Sequence, residues 1–109
     1  MAYESKLKRE DIDELFDAVL TLRDKEDCYR FFEDICTIKE LQSIAQRFRV
    51  AALLDEGRNY LEVSEETGAS SATICRVNRC LNYGIGYRKA LDNLKKESIA
   101  NEDGSDLEK

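Results

Sequence analysis

The sequence contains no histidine, no proline and no tryptophan, and one methionine among 109 residues. Without histidine the usual imidazole base is missing, and so is the commonest metal ligand. No nucleophile–base pair, Gly-rich phosphate loop or paired-carboxylate site takes its place, so the chain reads as a non-enzyme without cofactor or metal. Long apolar runs are also lacking. No stretch approaches the roughly 20 apolar residues of a membrane span, and residues 1–6 lack the apolar run of a signal peptide, so the expected location is the cytoplasm. Cysteine is sparse and unpatterned: Cys28, Cys36, Cys75 and Cys80 are separated by 8, 39 and 5 residues, which matches neither C-x-x-C nor an ordinary zinc spacing. They are expected to be small, partly buried apolar residues in a reducing compartment.

What is present fits a single domain, with 42% hydrophobic and 37% charged residues and a net charge of −6. That bulk charge hides an asymmetry. Residues 1–36, 37–66 and 97–109 are all net acidic, whereas residues 67–96 carry six basic side chains and one acidic one. An acidic protein that gathers its positive charge in one block remains a candidate for nucleic-acid binding.

Apolar spacing predicts an all-α chain of about six helices. Ile12, Leu15, Phe16, Val19 and Leu22 mark one stripe within the first 36 residues, and Asp24 can cap a second helix bearing Cys28, Phe31, Phe32, Ile35 and Cys36. Thr37-Ile38-Lys39-Glu40 reads as a capping box opening a long helix with the face Leu41, Ile44, Ala45, Phe48 and Ala52, stopped at Gly57. Asn59 caps a helix over residues 60–67, and Ser70 or Ser71 caps another over residues 72–83, ended by Gly84 and Gly86. A last amphipathic segment covers residues 87–96, with Ala90, Leu91 and Leu94 on one side. The expected organisation is a helical domain over residues 1–97 and an acidic, disordered tail over residues 98–109. That tail either competes with DNA for the basic block or serves as a solubilising terminus.

Residues 60–83 meet the demands of a helix-turn-helix. Counted from Tyr60 as position one of twenty, the ninth position is Gly68, the small fifth is Ser64, and the apolar fourth, tenth, fifteenth and eighteenth are Val63, Ala69, Ile74 and Val77. Left facing outward are Ser70, Ser71, Ala72, Thr73, Cys75, Arg76 and Arg79. They are short at the N-terminal end and basic further on, as suits a helix approaching base edges and phosphates in a major groove. Arg88 and Lys89 read as a solvated face. An alternative keeps the fold but turns the basic helix toward an acidic protein partner, as an adaptor.

The run Thr67-Gly68-Ala69-Ser70-Ser71-Ala72-Thr73-Ile74-Cys75-Arg76-Val77-Asn78-Arg79-Cys80-Leu81-Asn82-Tyr83-Gly84 resembles the signature of the YerC/YecD branch of the Trp repressor superfamily. The resemblance continues through Thr37-x-x-Glu40-Leu41 and Gln46-Arg47-Phe48-Arg49-Val50-Ala51-Ala52-Leu53-Leu54, includes Gly57 and Tyr60, and covers about residues 10–96. Cys75 and Cys80 stand where serines are expected.

The resemblance implies an intertwined homodimer whose two helix-turn-helix units enter successive major grooves of a palindromic operator, repressing an amino-acid biosynthesis operon. Phe16, Phe31, Phe32 and Phe48 would then be buried mutually, the alternative being an ordinary monomer core. It also implies an effector pocket, since Arg47 and Arg76 match the arginines that hold the Trp repressor's corepressor and Thr37 matches a further lining residue. Two departures count against tryptophan there: Val77 replaces a glycine beneath the indole plane, and Cys80 replaces the serine that meets the ligand's ammonium group. A smaller effector, or none, is expected. Arg47 and Arg76 otherwise contact phosphates or pair with Glu40 or Glu56.

Overall fold

Acidic side chains and an apolar stripe start α1 (Glu10–Val19), where Glu10, Asp11 and Asp13 face the positive end of the helix dipole. The computed structural model describes the backbone of residues 3–108 and the side chains of residues 3–99; among these are six helices and no strand. Helix begins at Glu10, two residues before the stripe's first member Ile12, and α1 stops at Val19 rather than reaching Leu22. The Thr21 hydroxyl donates to the Ala18 carbonyl at 2.6 Å, and the Thr21 and Leu22 amides close tight turns on the Ala18 and Val19 carbonyls.

The next helix, α2 (Lys25–Ile35), starts as its capping residue predicts. Asp24 accepts from the Asp27 amide at 2.8 Å, and Asp27 accepts in return from the Arg23 amide at 3.1 Å. Contacts divide the chain into residues 1–39 and residues 40–109. In the first unit neither helix buries a residue fully; Phe31 and Phe32 meet edge to face at 5.3 Å, and Phe16 is 56% exposed.

The second unit holds the core. α3 (Ile38–Asp55) enters it from the boundary, followed by α4 (Tyr60–Thr67), α5 (Ser71–Tyr83) and α6 (Gly86–Glu108). Val50, Ala51 and Leu53 of α3 are buried with Val63, Ala69, Ile74, Val77, Leu81 and Leu91. This corrects the face expected for α3. Phe48 and Ala52 do pack against the core, but Ile44 and Ala45 lie on the surface. Only the C-terminal half of α3 is surrounded, so adjacent positions are buried there instead of one stripe.

Gly57, at φ 95°, turns the chain after α3 so that its own amide and that of Arg58 reach the Leu54 and Leu53 carbonyls. Asn59 and Glu62 form a reciprocal capping box on α4. Gly84 caps α5, whereas Gly86 is the first residue of α6 instead of a second stop. The backbone of α6 runs past residue 97 to Glu108, because nothing there breaks a helix as proline would. The expectation of a disordered tail falls almost wholly on side chains outside the described residues. The cysteines are free thiols, but Cys28, Cys75 and Cys80 are exposed and only Cys36 is half-buried, so the expectation of partial burial fails for three of the four.

Asp55 ties α3 to α6. Its carboxylate, 11% exposed, accepts from Arg88 and from Lys95 Nζ at 2.8 Å. Arg88 is therefore a strut rather than a solvated face. The hydrogen bonds from Lys95 and then Arg88 hold the Asp55 carboxyl below its ordinary value. Because its pKa is lower folded than unfolded, the stabilisation is fully present above the unfolded value and is lost as pH falls through the folded one. Asp55→Asn should lower unfolding free energy by about 1–2 kcal/mol at neutral pH, a figure held down by the solvent exposure of both cations. Denaturant titrations should show the gap to the wild type closing below about pH 4.

Candidate nucleic-acid interface

A sharp turn joins α4 to α5, and its backbone needs explain its sequence. Gly68 sits at φ 73°, in the left-handed region that a side chain disfavours, and donates its amide to the Ser64 carbonyl at 2.8 Å. Thr67 Oγ1 donates to the Val63 carbonyl at 2.7 Å and accepts from the Ala69 amide at 3.1 Å, while Ser64 Oγ donates to the Ala69 carbonyl at 3.3 Å. Ser70 is the N-cap of α5, accepting from the Thr73 amide at 3.2 Å.

From this start α5 divides into two faces. Ile74, Val77 and Leu81 point into the core at 1%, 2% and 5% exposure. Ser70, Ser71, Ala72, Cys75, Arg76 and Arg79 are exposed, and Thr73 is half-buried with its hydroxyl against that of Ser70. All seven outward residues named from sequence thus lie at the surface or its edge. Ser70 and Thr73, however, are already engaged in capping the helix.

The ion pairs sharpen the charge argument. Arg88 and Lys95 are held by Asp55, and Arg49 and Arg58 lie against Glu66, at 3.4 and 3.6 Å. Among the described residues Arg47, Arg76 and Arg79 are in no ion pair, and Glu56 lies 4.0 Å from Arg58 instead. Positive charge without a protein counterion is a place where a polyanion gains most.

A cleft of about 200 Å³ opens beside this face, lined by Arg47, Thr73, Arg76, Val77, Cys80 and Tyr87. The structure therefore brings together Arg47, Arg76, Val77 and Cys80 of the residues named from sequence. Thr37 belongs to the first unit and stands outside this description. Tyr87 was missed, although residues 87, 90, 91 and 94 form a helical stripe that includes it. Its ring packs against Phe48 with centroids 6.4 Å apart. Burial pushes its phenol above the ordinary value, with Cys80 adding to the shift and Arg47 and Arg76 opposing it, so at neutral pH it is a hydrogen-bond donor. Among the described residues no group of His, Cys, Asp or Glu could hold a metal ion, and no helix is long and apolar enough to cross a membrane.

Comparison with known proteins agrees with this geometry. A profile of the Trp repressor protein family matches residues 10–95. YerC, an uncharacterized protein of Bacillus subtilis, is 55% identical over 92 residues, which are 84% of this chain and 88% of YerC. The crystal structure of a TrpR-like protein from Eubacterium eligens superposes with a TM-score of 0.79 at 53% identity, covering 83% of this chain and 94% of that one. A candidate Trp repressor from Staphylococcus aureus gives a TM-score of 0.79 at 47% identity, over 83% and 91% of the two chains.

Proposed function

The chain belongs to the Trp repressor family, and from that premise we propose that it is a sequence-specific DNA-binding regulator of transcription. It acts in the cytoplasm as a homodimer and represses by occupying a palindromic operator, with an amino-acid biosynthesis operon as its target. One observation carries this reading: α5 buries Ile74, Val77 and Leu81 while holding Arg76 and Arg79 outward without an ion-pair partner among the described residues. Ser71 and Ala72 precede them and meet base edges by hydroxyl and methyl contact, while the arginines hold phosphates or read guanine.

Support for the homodimer lies in apolar surface that a single chain leaves uncovered. Phe16, Ile35 and Ile44 are 56%, 50% and 51% exposed, and mutual burial would remove them from water. The cleft suits a small carboxylate between Arg47 and Arg76 better than tryptophan, because the branched Val77 side chain occupies its wall.

Selection of bound fragments from a random duplex pool tests the reading. Enrichment of one motif with two-fold symmetry supports it. Absence of any enriched duplex at low salt, with one acidic protein recovered stoichiometrically from a pull-down, would transfer the basic helix to an adaptor role.

A further inference from the structure

We propose that Gln46 is a positioning residue that bolts the turn between α4 and α5 to α3, and so fixes the angle at which α5 meets a duplex. The inference rests on the DNA-binding reading above. Half-buried on α3, Gln46 donates through Nε2 to the Thr67 carbonyl at 3.0 Å, across 21 residues of sequence. Thr67 ends α4, and its carbonyl is one of those a helix terminus leaves without an intrahelical partner. The other bonds of the turn are local, running among Val63, Ser64, Thr67, Gly68 and Ala69. They shape the turn but do not orient it, and the apolar core that α3 shares with Val63, Ala69, Ile74 and Val77 holds the helices together without directional bonds. The nearby pair Arg49–Glu66 joins the same two helices at 3.4 Å, but with 58% and 42% exposure it is screened by solvent and holds little.

Orientation matters because α5 is a lever. Arg79 lies eight residues beyond Ser71, about 12 Å along a helix rising about 1.5 Å per residue, so a tilt of about 10° moves it by about 2 Å. Hydrogen bonds to base edges survive only a few tenths of an ångström of displacement. Phosphate attraction, felt over a screening length of about 8 Å at physiological salt, is insensitive to such a shift. Loss of the Gln46 bond should therefore remove selectivity and leave bulk affinity.

Two variants test this. Gln46→Met keeps the side chain's size without the donor, and Gln46→Glu replaces the amide by a group that donates only when protonated. Affinities for a selected duplex and a random one are measured across salt, and the amide resonances of Thr67, Gly68 and Ala69 are recorded. In Gln46→Met the selected duplex should be bound at least about tenfold more weakly, with the random duplex changed less than about twofold and the salt dependence unaltered. In Gln46→Glu the Gly68 resonance should return toward its wild-type position as the carboxyl protonates, near about pH 4–5. Equal losses on both duplexes, unchanged selectivity, or a Gly68 resonance indifferent to that protonation would overturn the proposal. If the wild type selects no duplex, the DNA-binding reading fails by itself and the amides decide: resonances unmoved in Gln46→Met refute the bolt, and shifted ones uphold it.

Discussion

Replacing Arg76 and Arg79 together by alanine should weaken binding to a selected operator by about a hundredfold or more and flatten its salt dependence. Each arginine that contacts a phosphate or a guanine edge contributes about 1–3 kcal/mol, and each released phosphate contact removes about 0.9 from the slope of log affinity against log salt. The effect is large because the two arginines lie one turn apart on the exposed face of α5 and, with Arg47, Lys89 and Lys96, are the basic side chains of residues 47–96 in no ion pair among the described residues. Arg88 and Lys95 are neutralised on Asp55, and Arg49 and Arg58 lie against Glu66. Melting temperature should barely move, since both arginines are exposed and neither is in an ion pair among the described residues. Fluorescence anisotropy across a salt series reads the result. Unchanged slopes would remove these two side chains from the interface.

Ile74→Ala, two positions before Arg76, should do the opposite. Ile74 is 1% exposed and is one of the largest fully buried side chains, so truncation leaves a cavity where α5 meets the core. Such changes cost about 2–5 kcal/mol, which in a unit this small lowers the melting temperature by roughly 10 °C or more. At low temperature, where the variant remains folded, its salt slope on DNA should match the wild type. Cys75→Ala, on the exposed neighbouring position, should shift stability by less than about 0.5 kcal/mol. A loss for Ile74→Ala below about 0.5 kcal/mol would mean that the inner face of α5 is not packed as described. One helix thus carries two separable jobs, and the two substitutions divide them.

The elements best anticipated from sequence are those whose bonds are local. Asn59 with Glu62 and Ser70 with Thr73 satisfy amides three residues away, and Gly68 takes the left-handed turn, so α4 and α5 were legible in spacing alone. The burial of Val63, Ala69, Ile74 and Val77 followed from the same register. The face of α3 was not legible, because periodicity shows that a helix has an apolar side but not which of its turns will be surrounded. Ile44 therefore stands at the surface while Val50, Ala51 and Leu53 are enclosed. Other misses are long-range. Arg88 finds Asp55 across 33 residues and Gln46 finds Thr67 across 21, and neither pairing leaves a trace in local pattern. Arg47, Arg76, Val77 and Cys80 were named through family resemblance and do share one cleft, yet Tyr87, from the following helix, completes it.

Resonance mapping with a selected duplex decides whether the outward face of α5 is the surface that meets DNA. Amides of residues 70–80 should shift most on titration, with Arg76 and Arg79 among the strongest responders and Glu10–Val19 little changed. Shifts gathered on α1 and α2, with residues 70–80 unmoved at saturation, would contradict that placement.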